Sequence, residues 1–194
     1  MIIKVCGITN RQDACESVAA GADALGFNFW PKSPRFVAEE TARRLAGECP
    51  PHVLKVAVFV DETADRIEAL MQRIGLDVAQ VHGPLDRPLA VRHWLACAAG
   101  APPPDDATAE AFVVDTPSVE QRGGTGRAFD WSLAKGLPGR IVLAGGLAAD
   151  NVADAIRAAR PWGVDACSRL EQAPGRKDPA KVRAFIEAAR KEIL

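Results

Sequence analysis

Apolar positions along the chain gather into short runs of strand length, separated by longer stretches with a helical period. The runs at 2–5, 24–29, 54–60, 78–81, 90–95, 112–114, 141–144 and 164–166 predict about eight strands. Helices are predicted near 11–20, 38–48, 63–73, 130–135, 150–160 and 179–193. In the third of these, Ile67, Leu70, Met71 and Ile74 repeat at helical spacing. Asn10 is placed to cap the first helix, with Asp13 at its third position.

Strands that alternate with helices build a parallel sheet covered on both faces, which accounts for near-continuous apolar strands such as Val56-Ala-Val-Phe-Val60. A doubly wound open sheet and a closed barrel both satisfy that alternation. The barrel is favoured by the strand number and by the polar or glycine residues clustered at the strand ends: Cys6-Gly7, His82-Gly83, Asp115, Gly145-Gly146 and Cys167-Ser168. A barrel brings all of these to one rim, whereas an open sheet spreads them along an edge. The expectation is α/β, a single (β/α)8 TIM barrel forming one domain over 1–194.

Length then changes the picture. The chain has 194 residues, just under the roughly 200 at which such barrels usually begin. The shortfall falls between Gly83 and Phe112. Only about six residues separate His82-Gly83 from the next apolar run, too few for a crossover helix, which takes a dozen residues or more. The outer helices between strands 4 and 6 are therefore expected to be shortened or missing, with Pro102-Pro-Pro-Asp-Asp106 forming a loop.

Composition narrows the partners. With 24 Lys+Arg against 25 Asp+Glu the net charge is −1, and 48% of residues are apolar. This is an ordinary globular balance without the basic excess of a nucleic-acid or membrane-surface protein. The start of the chain lacks the features of a secretory signal, and no apolar stretch approaches the ~18 residues of a membrane span. Five scattered cysteines without a C-x-x-C pair speak against disulfides and structural zinc, and His52, His82 and His93 have no ligand spacing. A cytoplasmic protein with mostly buried thiols is expected, with no metal and no nucleic-acid or membrane partner.

Several rim residues can do chemistry. Glycines at 145 and 146, and at 163 ahead of Ser168, allow backbone N–H groups to approach an anion after strands 7 and 8, a recurrent phosphate position in barrels; tight turns are the plainer alternative. Gly123-Gly-Thr-Gly126 forms a polar loop able to close over substrate, bringing Gly124 and Thr125 to it. Cys6 and Asp115, at the ends of strands 1 and 6, are a candidate base and acid across the mouth, provided the thiol is lowered and the carboxyl raised. Each could instead be only a packed thiol or a loop cap. Arg35, on a loop stiffened by Pro31 and Pro34, suits a carboxylate clamp. His82 reaches the same rim, where a histidine satisfied by hydrogen bonds is commoner than a catalytic one.

Taken together, Lys4-Val-Cys-Gly-Ile-Thr9, Gly21-Ala-Asp-Ala-Leu-Gly26, Pro31-Lys-Ser-Pro-Arg35, Gln80-Val-His-Gly83, Gly123-Gly-Thr-Gly-Arg-Ala-Phe-Asp-Trp131, Leu143-Ala-Gly-Gly-Leu147 and Pro174-Gly-Arg-Lys-Asp178 resemble the phosphoribosylanthranilate isomerase family. The stretches run in the family's order and reach both ends of the chain. The resemblance implies a cofactor-free barrel that carries out an Amadori rearrangement of N-(5-phosphoribosyl)anthranilate to 1-(2-carboxyphenylamino)-1-deoxyribulose 5-phosphate in tryptophan biosynthesis. It implies Cys6 as general base, Asp115 as general acid and Arg35 as partner of the anthranilate carboxylate. The backbone at Gly145, Gly146, Cys167 and Ser168 would hold the phosphate, and His82, Gly124 and Thr125 would join the binding set.

The chain departs from the family at Ser168-Arg169-Leu170, where Ser-Gly-Val is common, at Asn28 inside an apolar strand, and in the short 83–90 connection. Rival readings are a histidine-pathway sugar-phosphate isomerase, which would carry aspartate where Cys6 stands, a dual-substrate isomerase, and a metal-dependent pentose-phosphate epimerase. A barrel that binds a phosphoribosyl ligand without turning it over is the non-enzymatic rival. A monomer is expected over a homodimer.

Overall fold

The computed structural model describes residues 1–116 and 130–192. Eight parallel strands close into a barrel in chain order: β1 (Ile2–Cys6), β2 (Ala24–Asn28), β3 (Leu54–Val60), β4 (Val78–His82), β5 (His93–Ala98), β6 (Ala111–Asp115), β7 (Ile141–Leu143) and β8 (Gly163–Ala166), with β8 pairing back onto β1. Helices α1 (Arg11–Ala19), α2 (Glu39–Glu48), α3 (Ala64–Ile74), α4 (Val152–Ala159) and α5 (Pro179–Lys191) pack outside. The expected TIM barrel is what the chain forms.

Local chemistry starts and stops these helices. The Asn10 side chain accepts from the Asp13 amide at 2.9 Å, as the sequence predicts, and Asp178 accepts from Ala180 at 2.9 Å ahead of Pro179 in the first turn of α5. Gly75, at φ +78°, ends α3 in the left-handed conformation that costs glycine little.

The period-2 alternation of the strands divides the core in two. Outward residues such as Ile3, Val5, Leu25 and Phe27 pack beneath the helices. Inward ones (Ala24, Val56, Val78, Trp94, Ala111, Val113, Val142, Ala144) fill the barrel itself. Trp94 is fully buried among small neighbours, so one large ring occupies space that Ala24 and Ala111 leave open.

No helix lies between β4 and β6, as the short connection predicts. The outer layer is patched instead: the Arg87 guanidinium forks onto Glu68 of α3 with two 2.9 Å bonds, Glu68 also accepts from the Ala90 amide at 2.7 Å, and Leu89 is buried. The fifth strand begins at His93, three residues later than the 90–95 run suggests. Residues up to Arg92 are consumed by this return path, and Trp94 must face inward to fill the barrel. The helix expected at 130–135 is a single 3₁₀ turn, Trp131–Ala134, capped by Asp130. A small hairpin after β8, formed by β9 (Glu171–Ala173) and β10 (Arg176–Lys177), had no signal in the apolar pattern. Burial of the thiols is also less general than expected: Cys6 is buried, Cys49, Cys97 and Cys167 are half-buried, and Cys15 is exposed. No helix is long and apolar enough to cross a membrane among the described residues.

Candidate active site

A cavity of about 310 Å³ opens at the carboxyl ends of the strands, and Cys6, Arg35, His82, Asp115, Gly145, Gly146, Cys167 and Ser168 all line it. Residues far apart in the chain thus reach one place from several different loops and strand ends. Gly124 and Thr125 lie outside the described residues.

Cys6 is the last residue of β1, two positions beyond Lys4, so both side chains point into the barrel. Lys4 is fully buried and paired with Asp165 of β8 at 2.7 Å, directly across the strand register. Around Cys6 the largest influence is a hydrogen bond donated by the Cys167 thiol. Burial opposes it, but the Lys4 and Lys177 ammonium groups add to it, and the Cys6 thiol is held well below its ordinary value. Cys167 moves the other way, because its proton is engaged by Cys6 and burial disfavours its thiolate.

Asp115 ends β6, opposite in the mouth. Burial pushes its carboxyl upward, only partly offset by the 2.7 Å bond its Oδ1 accepts from the Thr116 amide. Gly145 packs against it: a Cβ there would fall 2.4 Å from Thr116 Oγ1 and 3.1 Å from Asp115 Oδ1, and φ is +84°. Glycine at 145 is therefore a requirement of the acid's placement.

The Gly146 carbonyl accepts bonds from Asn151 at 2.9 Å and Arg169 at 3.1 Å. Among the described residues, the amides of Gly146 and Ser168 donate to no backbone carbonyl, leaving one N–H group after β7 and one after β8. Arg169, one of the departures from the family pattern, braces this corner: it also reaches Asp150 at 2.7 Å.

Arg35 lies across Gly7, whose φ is +77° and whose absent Cβ would be 2.9 Å from the Arg35 Cδ. Its guanidinium is forked onto Glu171 by two 2.9 Å bonds, and Glu171 also accepts from Lys177 at 3.1 Å. His82 shares a 3.0 Å contact with Gln80. Asn28 meets its need for a partner by accepting from the Trp30 amide at 2.9 Å, and it too faces the cavity.

Lys4, Asp165, Glu171 and Lys177 are the residues that sequence reasoning missed. Two of them did leave a trace: a lysine in Ile2-Ile-Lys-Val-Cys6 and an aspartate in Val164-Asp-Ala166 interrupt strands that should be apolar on both faces. Burial raises Asp165 to about 7 against the pull of Lys4.

A closed barrel with a polar cavity at its strand ends, a lowered thiol and a raised carboxyl has the fold and the donor set of an acid–base enzyme. Residues 3–188 match the family model described as N-(5'-phosphoribosyl)anthranilate (PRA) isomerase. The chain belongs to that family. It is 48% identical over 199 residues to N-(5'-phosphoribosyl)anthranilate isomerase of Solibacter usitatus, covering 98% of each chain. The crystal structure of phosphoribosyl anthranilate isomerase from Thermotoga maritima superposes with a TM-score of 0.83 at 34% identity, over 98% of this chain and 100% of that one. A crystal structure of a phosphoribosyl anthranilate isomerase in complex with reduced 1-(o-carboxyphenylamino)-1-deoxyribulose 5-phosphate superposes at 0.80 with 33% identity, over 98% and 100%.

Proposed function

We propose that the chain converts N-(5-phosphoribosyl)anthranilate to 1-(2-carboxyphenylamino)-1-deoxyribulose 5-phosphate, with Cys6 as general base and Asp115 as general acid. The observation that carries this reading is the opposed pair itself: one cavity holds a thiol eased toward thiolate and a carboxyl eased toward the neutral acid. That is the protonation state the rearrangement needs.

The neutral Asp115 carboxyl donates a proton to the furanose oxygen while the anthranilate nitrogen pushes its lone pair toward C1, and the ring opens to an iminium. The C2 hydrogen is now acidic, and the Cys6 thiolate removes it. The resulting enolamine tautomerises to the aminoketone. Positioned acid and base groups each contribute roughly 10²–10⁴-fold. The phosphate is assigned to the Gly145–Gly146 and Cys167–Ser168 corner, where two amides stand free of backbone partners. Arg35 is assigned to the anthranilate carboxylate: Glu171 occupies its Nε and Nη2 and fixes the guanidinium plane, leaving Nη1 for the ligand. His82, with Gly124 and Thr125, completes the binding set. The reading also takes 1–194 as one domain working as a cytoplasmic monomer, which light scattering after size exclusion tests for the oligomeric state.

The test is a fluorescence assay of substrate loss with Cys6→Ser and Asp115→Asn. Each variant is expected to lose turnover by at least about 10²-fold while keeping the wild-type circular dichroism. Wild-type rates in either variant would remove that residue from its role.

A further inference from the structure

The cavity holds a second thiol, Cys167, that the proposed chemistry does not use. It directly follows β8, which lies beside β1 with Lys4 opposite Asp165 and Val5 opposite Ala166, so Cys6 and Cys167 are the next residues along. Side-chain alternation sends Lys4, Cys6 and Asp165 to the barrel interior, and Cys167, one residue past the strand, lines the same cavity as Cys6. The Lys4–Asp165 contact at 2.7 Å shows that this inward pairing brings side chains together one step below. Neighbouring strands run about 4.8 Å apart, inside the Cα separation of about 4.4–6.8 Å that a disulfide accepts. Both thiols are free and both line the cavity, and each shifts the other's titration, lowering Cys6 and raising Cys167. Lys177 Nζ stands 3.8 Å from the Cys167 sulfur, adding positive charge that favours thiolate at the pair.

We propose that Cys6 and Cys167 are a paired modification site for hydroperoxides, which join the two sulfurs across β1 and β8 and withdraw Cys6 from the cavity until a thiol reductant restores it. The effect on turnover rests on the reading of Cys6 given above. In the first step the Cys6 thiolate attacks the peroxide: an S–O bond forms, the O–O bond breaks, and the released oxygen takes up a proton as water or alcohol. In the second, Cys167 attacks the Cys6 sulfenic acid. The S–S bond forms, the S–O bond breaks, and the hydroxyl leaves with the Cys167 proton as water. Two thiols are oxidised by two electrons in all, and one peroxide is reduced.

The remaining cysteines provide the internal control. Burial pushes Cys97 up to about 11, which makes it a poor nucleophile at neutral pH. Cys15 and Cys49 share a groove between α1 and α2, away from the barrel mouth. The experiment treats the full-length protein with hydrogen peroxide, alkylates remaining thiols and maps peptides without reduction. Activity is followed in parallel, before and after dithiothreitol. A Cys6–Cys167 cross-link is expected, together with an activity loss of about tenfold or more that dithiothreitol reverses. In Cys167→Ser, peroxide should instead drive Cys6 to sulfinic acid, and the loss, measured against that variant's own untreated rate, should not be reversed. Sulfinic acid at Cys6 in the wild-type chain, or a reversible loss that maps only to Cys15 and Cys49, would overturn the proposal and leave the role of Cys6 standing. A mapped Cys6–Cys167 cross-link with full turnover would keep the paired site but refute Cys6 as the base. The wild-type map decides the pairing even if the variant folds poorly.

Discussion

Replacing Glu171 by glutamine removes one charge and almost no volume from the most connected ion pair of the site. Its carboxylate holds Arg35 by two 2.9 Å bonds and Lys177 by one of 3.1 Å, with side-chain exposures of 4% for Glu171, 14% for Arg35 and 2% for Lys177. Glutamine keeps one acceptor oxygen but turns its NH₂ toward a guanidinium. Two cations are then left facing each other without their counter-charge. Breaking a buried pair from one side costs about 3–5 kcal/mol; a cavity-edge position that retains one hydrogen bond belongs at the lower end, about 3 kcal/mol. Burial raises the Glu171 carboxyl but Arg35 and Lys177 outweigh it, so the native pKa lies below the ordinary 4.5. The stabilisation from the charge is therefore fully present above pH 4.5 and is lost as pH falls through the lowered native value. Urea unfolding of wild type and Glu171→Gln between pH 7 and pH 3 checks both parts. The gap between them should be about 3 kcal/mol at pH 7 and should narrow on acidification. KM should rise about tenfold or more as Arg35 loses its tether, equivalent to about 1.4 kcal/mol. A gap below about 0.5 kcal/mol at pH 7, the size of an ordinary surface substitution, or one that is constant across the range, would refute this account of the triad.

Rates should climb with pH as Cys6 deprotonates, with a midpoint below the thiol's ordinary 9.0, and decline once Asp115 ionises, with a midpoint above its ordinary 3.8. Because the Cys167 hydrogen bond is the largest influence on Cys6, Cys167→Ala should move the rising limb to higher pH in a kcat/KM profile; an unmoved limb would discount that bond. Gly145→Ala places a methyl 2.4 Å from Thr116 Oγ1 and 3.1 Å from the Asp115 carboxylate. Displacement of the acid should lower kcat/KM by about 10²-fold, whereas a normal rate would show that Asp115 does not depend on this contact. Leu89→Ala should cost about 2 kcal/mol in chemical denaturation with kcat unchanged, since Leu89 seals the side of the barrel away from the cavity.

The fold was legible because strands and helices alternate over most of the chain. Strand-length runs with both faces apolar have few homes other than a parallel sheet under helices, and the brief 83–92 connection located the missing helix. The fifth strand was misplaced because Ala90 and Val91 are apolar enough to extend a strand, while the inward demand of Trp94 depends on a barrel the local sequence cannot express. Cys6, Asp115 and the glycine pair could be found since each lies at a strand end. Glu171 and Lys177 could not: they sit on a two-strand hairpin with no apolar period, and their function is to hold Arg35, 136 positions away from Glu171. The Lys4–Asp165 pair occupied a middle ground, visible as charges out of place though not as partners.

That pair also bears on how the chain is made. Lys4 leaves the ribosome long before its counter-ion, which emerges 161 residues later. Until β8 has been synthesised, a nascent barrel that tried to close would bury an ammonium without its carboxylate, a state costly enough to be avoided. Nor does a shifted closure help, because sliding β8 by one residue against β1 turns Asp165 outward. Completion of the barrel is thus coupled to the arrival of the last strand in its proper alignment, and the charge two residues ahead of Cys6 acts during biogenesis as a latch that only β8 can fasten.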